Sequence, residues 1–196
     1  MWSKVIRPGV GVYLAIALPL ALGRANQAQQ TSKAVNSATR TYVHAYVNHE
    51  YGYQIQVPEG LAAVGTSPPN PNHGVKIQLT DSKSYVWVDA SYTDATSLSE
   101  SAQEISSGLA ELCGGTIKNV SHIDAKLADL RSVRLTYECG GKLAFVDVVA
   151  AIRLAKGRST ILYQVGLFED NSSGNRLSNV QALNNTLSQF KLLPLD

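Results

Sequence analysis

The sequence predicts an α+β domain in which helices sandwich an antiparallel β-sheet. Two segments, one beginning at Ser97 and one near Leu177, repeat apolar residues at helical spacing, whereas most other segments alternate apolar and polar residues as strands do. Short turns rich in Gly, Asn and Asp join many of these strands, and strands joined by such turns pair antiparallel. Because a helix with one apolar face must cover that face, we expect helices packed on the sheet, an α+β sandwich.

The first 25 residues have the pattern of a secretory signal peptide. Lys4 and Arg7 precede an apolar run from Val10 to Leu22, and small residues follow that run. The run is short for a membrane span, which needs about 20 apolar residues, and Pro19 interrupts it. We therefore expect cleavage near residue 25, a secreted or periplasmic protein and no stable membrane insertion afterwards. An uncleaved membrane anchor is the alternative.

Loss of this segment changes the charge of the chain. The sequence has 17 Lys and Arg residues against 15 Asp and Glu residues. Lys4, Arg7 and Arg24 leave with the signal and no acidic residue does, so the mature chain has 14 basic against 15 acidic residues. A near-neutral chain lacks the basic surface that nucleic-acid binding requires, and we expect no nucleic-acid partner.

Residues 26–41 are rich in Gln, Ser, Thr, Asn and Ala, a composition that cannot bury a core. We expect a flexible polar linker over 26–41 and a single folded domain over 42–196, which is long enough for one hydrophobic core.

Alternating residues predict the strands of the first half. Tyr42–Val47 and Tyr51–Val57 read as a hairpin around a turn at Asn48–Glu50, and Val75–Leu79 and Tyr85–Ala90 are the next two strands.

A change of period at Ser97 predicts the first helix. Ser97 and Glu100 form a capping box, apolar residues then follow one helical stripe to Leu112, and Gly114 ends the helix. The last helix is expected over Leu177–Phe190, where apolar residues again recur at helical spacing.

Four strands are expected between the two helices. Their predicted ranges are Thr116–Ile123, Arg131–Glu138, Leu143–Leu154 and Ile161–Leu167, with a Gly-Gly turn at Gly140 between the second and the third. The first of them is the least regular.

The only cysteines, Cys113 and Cys139, are each followed by Gly-Gly. The strand after the first helix runs away from Cys113 and the next strand returns to Cys139, so the two thiols come close together. We expect a structural disulfide, which fits an oxidising compartment. A redox or zinc pair is the alternative, but the sequence has no Cys-x-x-Cys, and two cysteines alone do not fill a structural zinc site.

The order of these elements resembles that of the PsbP-like family. The matching pieces are Asn48–Pro58, the Ser97–Leu112 helix, the Arg131–Leu154 hairpin, Tyr163 and Leu187–Phe190. Together they span Tyr46 to Leu193. The resemblance implies a PsbP-like α/β/α sandwich and a role as a binding or assembly module.

We therefore expect an exported, non-enzymatic binding or accessory protein with no cofactor, whose partner is a protein or an envelope complex. The contact is expected on the exposed sheet face or on the loop Pro68–His73. The alternative is a small-molecule-binding protein or hydrolase with a site between sheet and helix, which predicts a deep apolar pocket.

Three residues are candidate ligand or partner contacts: His73, Asp147 and Arg153. Asp147 and Arg153 fall on the less apolar side of the Leu143–Leu154 strand, and a partly solvated sheet face is the simpler interpretation of that side.

The sequence gives less support to a catalytic or metal site than to these contact residues. Ser121, His122 and Asp124 are the residue types of a hydrolase triad, but neighbouring strand residues point to opposite faces and cannot converge. The four histidines, His44, His49, His73 and His122, lack the spacing of a metal site. We expect neither catalysis nor metal binding.

Overall fold

The computed structural model describes residues 41–65, 73–115, 117–155, 157 and 159–195. Within these residues the elements are β1 (Thr41–Tyr42), β2 (Ala45–Asn48), β3 (Tyr53–Gln56), β4 (Ala63–Gly65), β5 (Gly74–Gln78), β6 (Tyr85–Thr93), α1 (Leu98–Leu112), β7 (Ile117–Leu127), β8 (Leu130–Cys139), β9 (Leu143–Leu154), β10 (Thr160–Asp170), α2 (Arg176–Ser188) and β11 (Lys191–Leu192).

Two antiparallel sheets contain these strands. The large sheet has the order β1-β4-β5-β6-β10-β9-β8-β7, and the small sheet has the order β11-β3-β2. The β8–β9 hairpin agrees with the sequence prediction, and β2 pairs with β3 as predicted. The predicted strand Tyr42–Val47 is divided, because Tyr42 belongs to β1 and pairs with β4 in the large sheet. Neither β4 nor β11 was predicted. The protein is therefore mostly antiparallel β-sheet with two helices.

The two helices pack against opposite faces of the large sheet. Along β9, Val148 and Ala150 belong to one buried cluster with Ile105 of α1, and Val149 belongs to a second cluster with Leu183 of α2. We call these the α1 face and the α2 face. Since successive strand residues point to opposite sides, one strand contributes to both clusters.

The α2 face is covered, which corrects the prediction of a partly solvated side for Asp147 and Arg153. Val149 and Ala151 lie between these two residues and are almost fully buried against α2 and the small sheet. Asp147 itself is 3% exposed.

The capping box places the start of α1 where the sequence predicted it. Ser97 Oγ accepts a hydrogen bond from the Glu100 N–H at 3.2 Å, and the Glu100 carboxylate accepts one from the Thr96 N–H at 2.7 Å. These bonds satisfy N–H groups that have no partner inside the helix. At its other end, Gly114 adopts a positive φ of 75°, as the C-terminal prediction required.

The end of α2 differs from the prediction. The helix stops at Ser188, and Phe190, which was expected inside it, lies beyond it with 3% exposure. The Phe190 ring stacks on Tyr53 of the small sheet at 5.4 Å and 11° between planes. The apolar side chain of Phe190 therefore packs between the two sheets. The chain then continues directly into β11.

Hydrogen bonds join the small sheet to the large one. Tyr163 donates its hydroxyl to the Tyr51 carbonyl at 2.6 Å, and Tyr53 donates to the His73 carbonyl at 2.8 Å. Each buried hydroxyl is thus satisfied by a backbone acceptor, which orients the small sheet over the α2 face.

Cys113 and Cys139 are joined by a disulfide, with 4.9 Å between their Cα atoms. The bond ties the end of α1 to the end of β8. A Cβ atom on Gly141 would lie 2.8 Å from the Cys113 carbonyl oxygen, so the second glycine after Cys139 allows the close approach of the two chain segments.

The predicted signal peptide (1–25) and nearly all of the predicted linker (26–41) lie outside the described residues. Thr41, at the end of that linker, pairs with Val64 in the large sheet. No helix within the described part of the chain combines the length and the apolar character needed to cross a bilayer.

Candidate functional site

Asp147, one of the predicted contact residues, is held by an arginine. Arg134 donates Nε–H to Oδ1 of Asp147 at 2.8 Å and an Nη2–H to Oδ2 at 2.6 Å. The same Nη2 is 3.4 Å from Oδ1 of Asn184 on α2. Both carboxylate oxygens of Asp147 therefore have an intramolecular partner.

Arg153 also has intramolecular partners. Its Nη1 donates to the Leu193 carbonyl at 2.8 Å and lies 3.4 Å from the Gly52 carbonyl. These acceptors belong to the segments next to β11 and β3. Arg153 thus links the small sheet to the large one. That Arg153 or Asp147 contacts a ligand remains a prediction. The two residues lie six positions apart on one strand, a separation of about 20 Å, so they do not form one site.

His73 lies immediately before β5, with its ring packed on Tyr51 at 5.3 Å. Its Nε2 atom is 3.4 Å from the Tyr51 hydroxyl. Burial raises the pKa of Tyr51 to about 12, so this hydroxyl keeps its proton at neutral pH. The rest of the predicted contact loop, Pro68–Asn72, is outside the described residues.

The residues considered for catalysis lie on β7, at the edge of the large sheet. Ser121 donates its hydroxyl to Thr136 Oγ1 at 2.9 Å, and His122 pairs with Leu135 in the ladder. None of the hydrogen bonds found in the described part of the chain joins Ser121, His122 and Asp124 to one another. The described residues also contain no group of three His, Cys, Asp or Glu side chains able to hold a metal ion.

A different part of the molecule carries an unusual group of side chains. On the α1 face, α1 packs on β8 and β9. Further along the same face, β5, β6 and β10 present exposed or half-buried side chains. We call this surface the open half-face and define it by Lys76, Tyr85, Trp87 and Gln164.

The strand register fixes the positions of these side chains. Lys76 lies opposite Trp87, and Asp89 lies between Gly74 on β5 and Gln164 on β10. Val88 and its neighbours at even positions of β6 face the α2-side core, so Tyr85 and Trp87 share the other face. Two successive outward positions of β6 are thus aromatic rings, whereas Asp89, at the next such position, is buried.

The aromatic rings form a packed platform on this face. Tyr85 stacks on Phe168 at 5.1 Å with 9° between ring planes, and Trp87 meets Phe168 edge to face at 5.9 Å. Both geometries are favourable for aromatic pairs. Phe168 is buried, whereas Tyr85 and Trp87 are partly open to solvent.

The ammonium group of Lys76 packs on this platform. Its Nζ atom lies 3.7 Å from the centre of the Tyr85 ring, where the negative face of the ring attracts the ammonium group. Burial and the nearby positive charge of Lys142 lower the pKa of Lys76.

Asp89, next to this surface, is a buried carboxylic acid with 8% exposure. Burial raises the pKa of Asp89 to about 6, although the positive charge of His73 opposes the rise. Burial also raises the pKa values of Tyr46, Tyr51 and Tyr53, and the charge of Asp89 adds to the rise, so Asp89 acts on the tyrosines of the small-sheet side.

Two glycines border these side chains. Gly166 lies opposite Trp87, and a Cβ atom there would be 2.9 Å from Cγ2 of Val148. At Gly74, a Cβ atom would be 1.8 Å from the Val88 carbonyl oxygen, which no side-chain movement can relieve. Close packing of β5 on β6 beside Asp89 therefore requires glycine at position 74.

Sequence reasoning missed the open half-face, although part of its signal was visible. Tyr85 and Trp87 stand at alternate positions of a predicted strand, which places them on one face. The missing information was the position of α1, since the strand pattern does not tell which part of a sheet a helix covers.

A cavity of about 380 Å³ lies at the ends of β6 and β10. It is lined by Tyr92, Thr93, Asp94, Thr96, Gly157, Ser159 and Thr160. The lining is mostly polar, unlike the deep apolar pocket predicted for a small-molecule site. The Tyr92 side chain also lies 5.4 Å from the Tyr51 ring and is 54% exposed.

No protein-family model matches the sequence, and no curated protein sequence matches it. Several solved structures are similar, including the two that follow. Cyanobacterial PsbP (CyanoP) from Synechocystis sp. PCC 6803 is 14% identical, with a TM-score of 0.52 over 81% of this chain and 95% of that chain. LpqN, involved in cell envelope biogenesis of Mycobacterium tuberculosis, is 13% identical, with a TM-score of 0.44 over 82% of this chain and 88% of that chain.

The match to CyanoP extends over almost the whole of that chain and most of this one. At this level of identity the similarity concerns the fold. It confirms the resemblance that the order of the sequence motifs indicated: the chain has a PsbP-like fold.

Proposed function

We propose that this protein is an exported, non-enzymatic accessory protein, an α/β/α sandwich that binds another protein or an envelope complex through the open half-face. Export is supported by the signal-peptide pattern of residues 1–25 and by the disulfide between Cys113 and Cys139, which suits an oxidising compartment.

The observation that carries the proposal is the pair of partly exposed aromatic side chains Tyr85 and Trp87 on the α1 face of the large sheet, with Lys76 over the Tyr85 ring. Partly exposed Trp and Tyr side chains are enriched in protein interfaces, where they supply large contact areas at low entropic cost.

Support for a non-enzymatic role comes from the site chemistry. Ser121, His122 and Asp124 occupy an exposed edge strand without contacts between them, and the open half-face has no nucleophile beside a base. An amide, an ammonium group and aromatic rings form a recognition surface.

Site-specific crosslinking tests this proposal. A photoreactive amino acid in place of Lys76, in the full-length protein in its native cells, is expected to crosslink to one major partner. Addition of Trp87→Ala should abolish the adduct because it removes the centre of the platform. Addition of Leu177→Ala, at an 87% exposed position on α2, should leave the adduct unchanged. An adduct that survives Trp87→Ala, or the absence of any adduct, would contradict the proposal.

The polar cavity favours a second candidate function, the binding of a small polar molecule. Its hydroxyl groups and Asp94 supply donors and acceptors at the end of the large sheet, next to the start of α1. A ligand of this kind should raise the melting temperature of the protein, and Asp94→Asn with Thr160→Val should remove that increase.

A further inference from the structure

We infer that the polar cavity at the ends of β6 and β10 binds a neutral saccharide, with a sugar ring packed on Tyr92 and its hydroxyl groups bonded to Asp94 and Thr160. This inference rests on the second candidate function and names the class of molecule that the cavity takes.

The strand register brings the polar groups of the cavity together. Thr93, the last residue of β6, pairs with Thr160, the first residue of β10. Asp94 directly follows Thr93, and Ser159 directly precedes Thr160, so all four residues line one cavity. Its volume of about 380 Å³ falls within the range of about 300–1,000 Å³ that is typical of small-molecule sites.

Three side chains of the lining have no partner inside the protein. The carboxylate of Asp94 and the hydroxyl groups of Ser159 and Thr160 take part in no hydrogen bond or ion pair found in the described part of the chain. Thr93 and Thr96 differ, because their hydroxyl protons are already donated to glutamates of α1 at 3.3 and 3.0 Å. The cavity therefore offers a ligand both donors and acceptors.

This mixture of groups selects the chemistry of the ligand. Asp94 can only accept hydrogen bonds, whereas the hydroxyl groups of Ser159 and Thr160 can also donate them. A ligand hydroxyl group donates and accepts, whereas an ammonium group only donates and a phosphate dianion only accepts. The described lining contains no Lys, Arg or His to attract an anion, and the described residues provide no metal-binding group. A neutral molecule with several hydroxyl groups fits best.

Tyr92 distinguishes a sugar ring from an open-chain polyol. Its side chain is 54% exposed, and its ring packs against that of Tyr51 at 5.4 Å, which holds it in place beside the polar groups. A tyrosine ring supplies a large and rigid apolar contact. A pyranose has a face of C–H bonds that packs on such a ring, while its hydroxyl groups extend from the edge toward polar partners.

Saturation-transfer difference NMR on the purified full-length protein tests this inference. The probes are four neutral disaccharides: maltose, cellobiose, lactose and N,N′-diacetylchitobiose. Sorbitol, glucuronate and spermidine are the open-chain, anionic and cationic comparison compounds. We expect saturation transfer to at least one disaccharide, strongest at the C–H protons of one ring face, and at least tenfold lower affinity for each comparison compound.

Variants of the lining place the binding in the cavity. Asp94→Asn and Tyr92→Ala should each lower the affinity for the disaccharide at least fivefold. Because Tyr92 also packs on Tyr51, Thr160→Val provides a second test that leaves this packing intact, and it should lower the affinity by a similar factor. Asp124→Asn, which removes an exposed carboxylate on β7, should have no effect.

Three results would overturn the inference: no saturation transfer to any of the disaccharides, an affinity unchanged in both Asp94→Asn and Thr160→Val, or tighter binding of spermidine or glucuronate. If another polar molecule raises the melting temperature through Asp94 and Thr160 while no disaccharide binds, the second candidate function stands and the saccharide inference is wrong. The crosslinking experiment at Lys76 concerns the open half-face and decides only the first proposal.

Discussion

Arg134 on β8 and Asp147 on the adjacent strand β9 form a bidentate ion pair on the α2 face, with hydrogen bonds of 2.8 and 2.6 Å. The Asp147 side chain is 5% exposed and the Arg134 side chain is 26% exposed. Hydrogen bonding to Asp147 raises the pKa of Arg134. Since Asn184 of α2 also contacts this guanidinium, the pair links the sheet to the helix above it.

Removal of one partner of this pair should be strongly destabilising. Asp147→Asn leaves the Arg134 charge partly buried without its counter-charge, and we expect the free energy of unfolding to fall by about 2–4 kcal/mol. Urea denaturation measures the change. The exposed pair Lys118–Glu138 is the matched control, with side chains 76% and 52% exposed. Glu138→Gln should change stability by less than about 0.5 kcal/mol, and equal losses in both variants would contradict the structural role of Asp147.

The disulfide should contribute stability through the unfolded chain. Cys113 and Cys139 are 26 residues apart, for which the chain-entropy relation gives about 3.5 kcal/mol. The double variant Cys113→Ser, Cys139→Ser should therefore unfold at a lower urea concentration, and added reductant should shift the wild type in the same direction without affecting the variant. The intact mass of the exported protein should lack two hydrogens relative to the dithiol. Free thiols in that protein would contradict the pairing.

The close approach of β5 to β6 predicts opposite results for two glycine substitutions. Gly74→Ala places a Cβ atom 1.8 Å from the Val88 carbonyl oxygen and should cost about 3 kcal/mol or more. Gly108→Ala, in α1 with no atom within 4 Å of the added carbon, should stabilise the protein by about 0.5–1 kcal/mol. Thermal unfolding of both variants gives the comparison. A Gly74→Ala protein as stable as the wild type would show that the strands do not approach as described.

Asp89 predicts an unusual dependence of stability on pH. Burial raises its pKa to about 6 in the folded protein, above the ordinary value of about 3.9 in the unfolded chain. The folded state therefore holds the proton more tightly, and the contribution of this group to the free energy of unfolding decreases as pH rises from about 4 to about 6. At pH 7.5 the cost of the ionised group is about 2–3 kcal/mol.

Asp89→Asn should remove that cost. The variant should be more stable than the wild type at pH 7.5 and similar to it at pH 4.5, as measured by urea denaturation across this range. A less stable variant at pH 7.5 would mean that the carboxylate has a stabilising partner.

The regular elements were predictable from the sequence because their patterns are local. The alternation along β8 and β9 and the capping box at Ser97 depend on residues within one element, and the structure has these elements where they were predicted. The disulfide followed from the order of the elements, since a hairpin returns the chain to the end of α1.

Features that depend on contacts between distant segments could not be predicted in the same way. β11 has only two residues, which is too short to show a periodic pattern. Phe190 was assigned to the last helix from its apolar character, but that character reflects its stacking on Tyr53. Asp147 and Arg153 looked like residues of a solvated face because their partners, Arg134 and the Leu193 carbonyl, are identified only by the register of the strands and the position of the small sheet.

The most direct test of the central claim is hydroxyl-radical footprinting of Trp87 in its native compartment. Oxidation of Trp87 is compared between intact cells and the purified protein, with Leu177 as the internal reference because it is exposed and lies outside the open half-face. We predict that Trp87 is oxidised at least fivefold less in cells while Leu177 is oxidised to the same extent. Equal oxidation of Trp87 in the two samples would contradict the claim that a partner covers this surface.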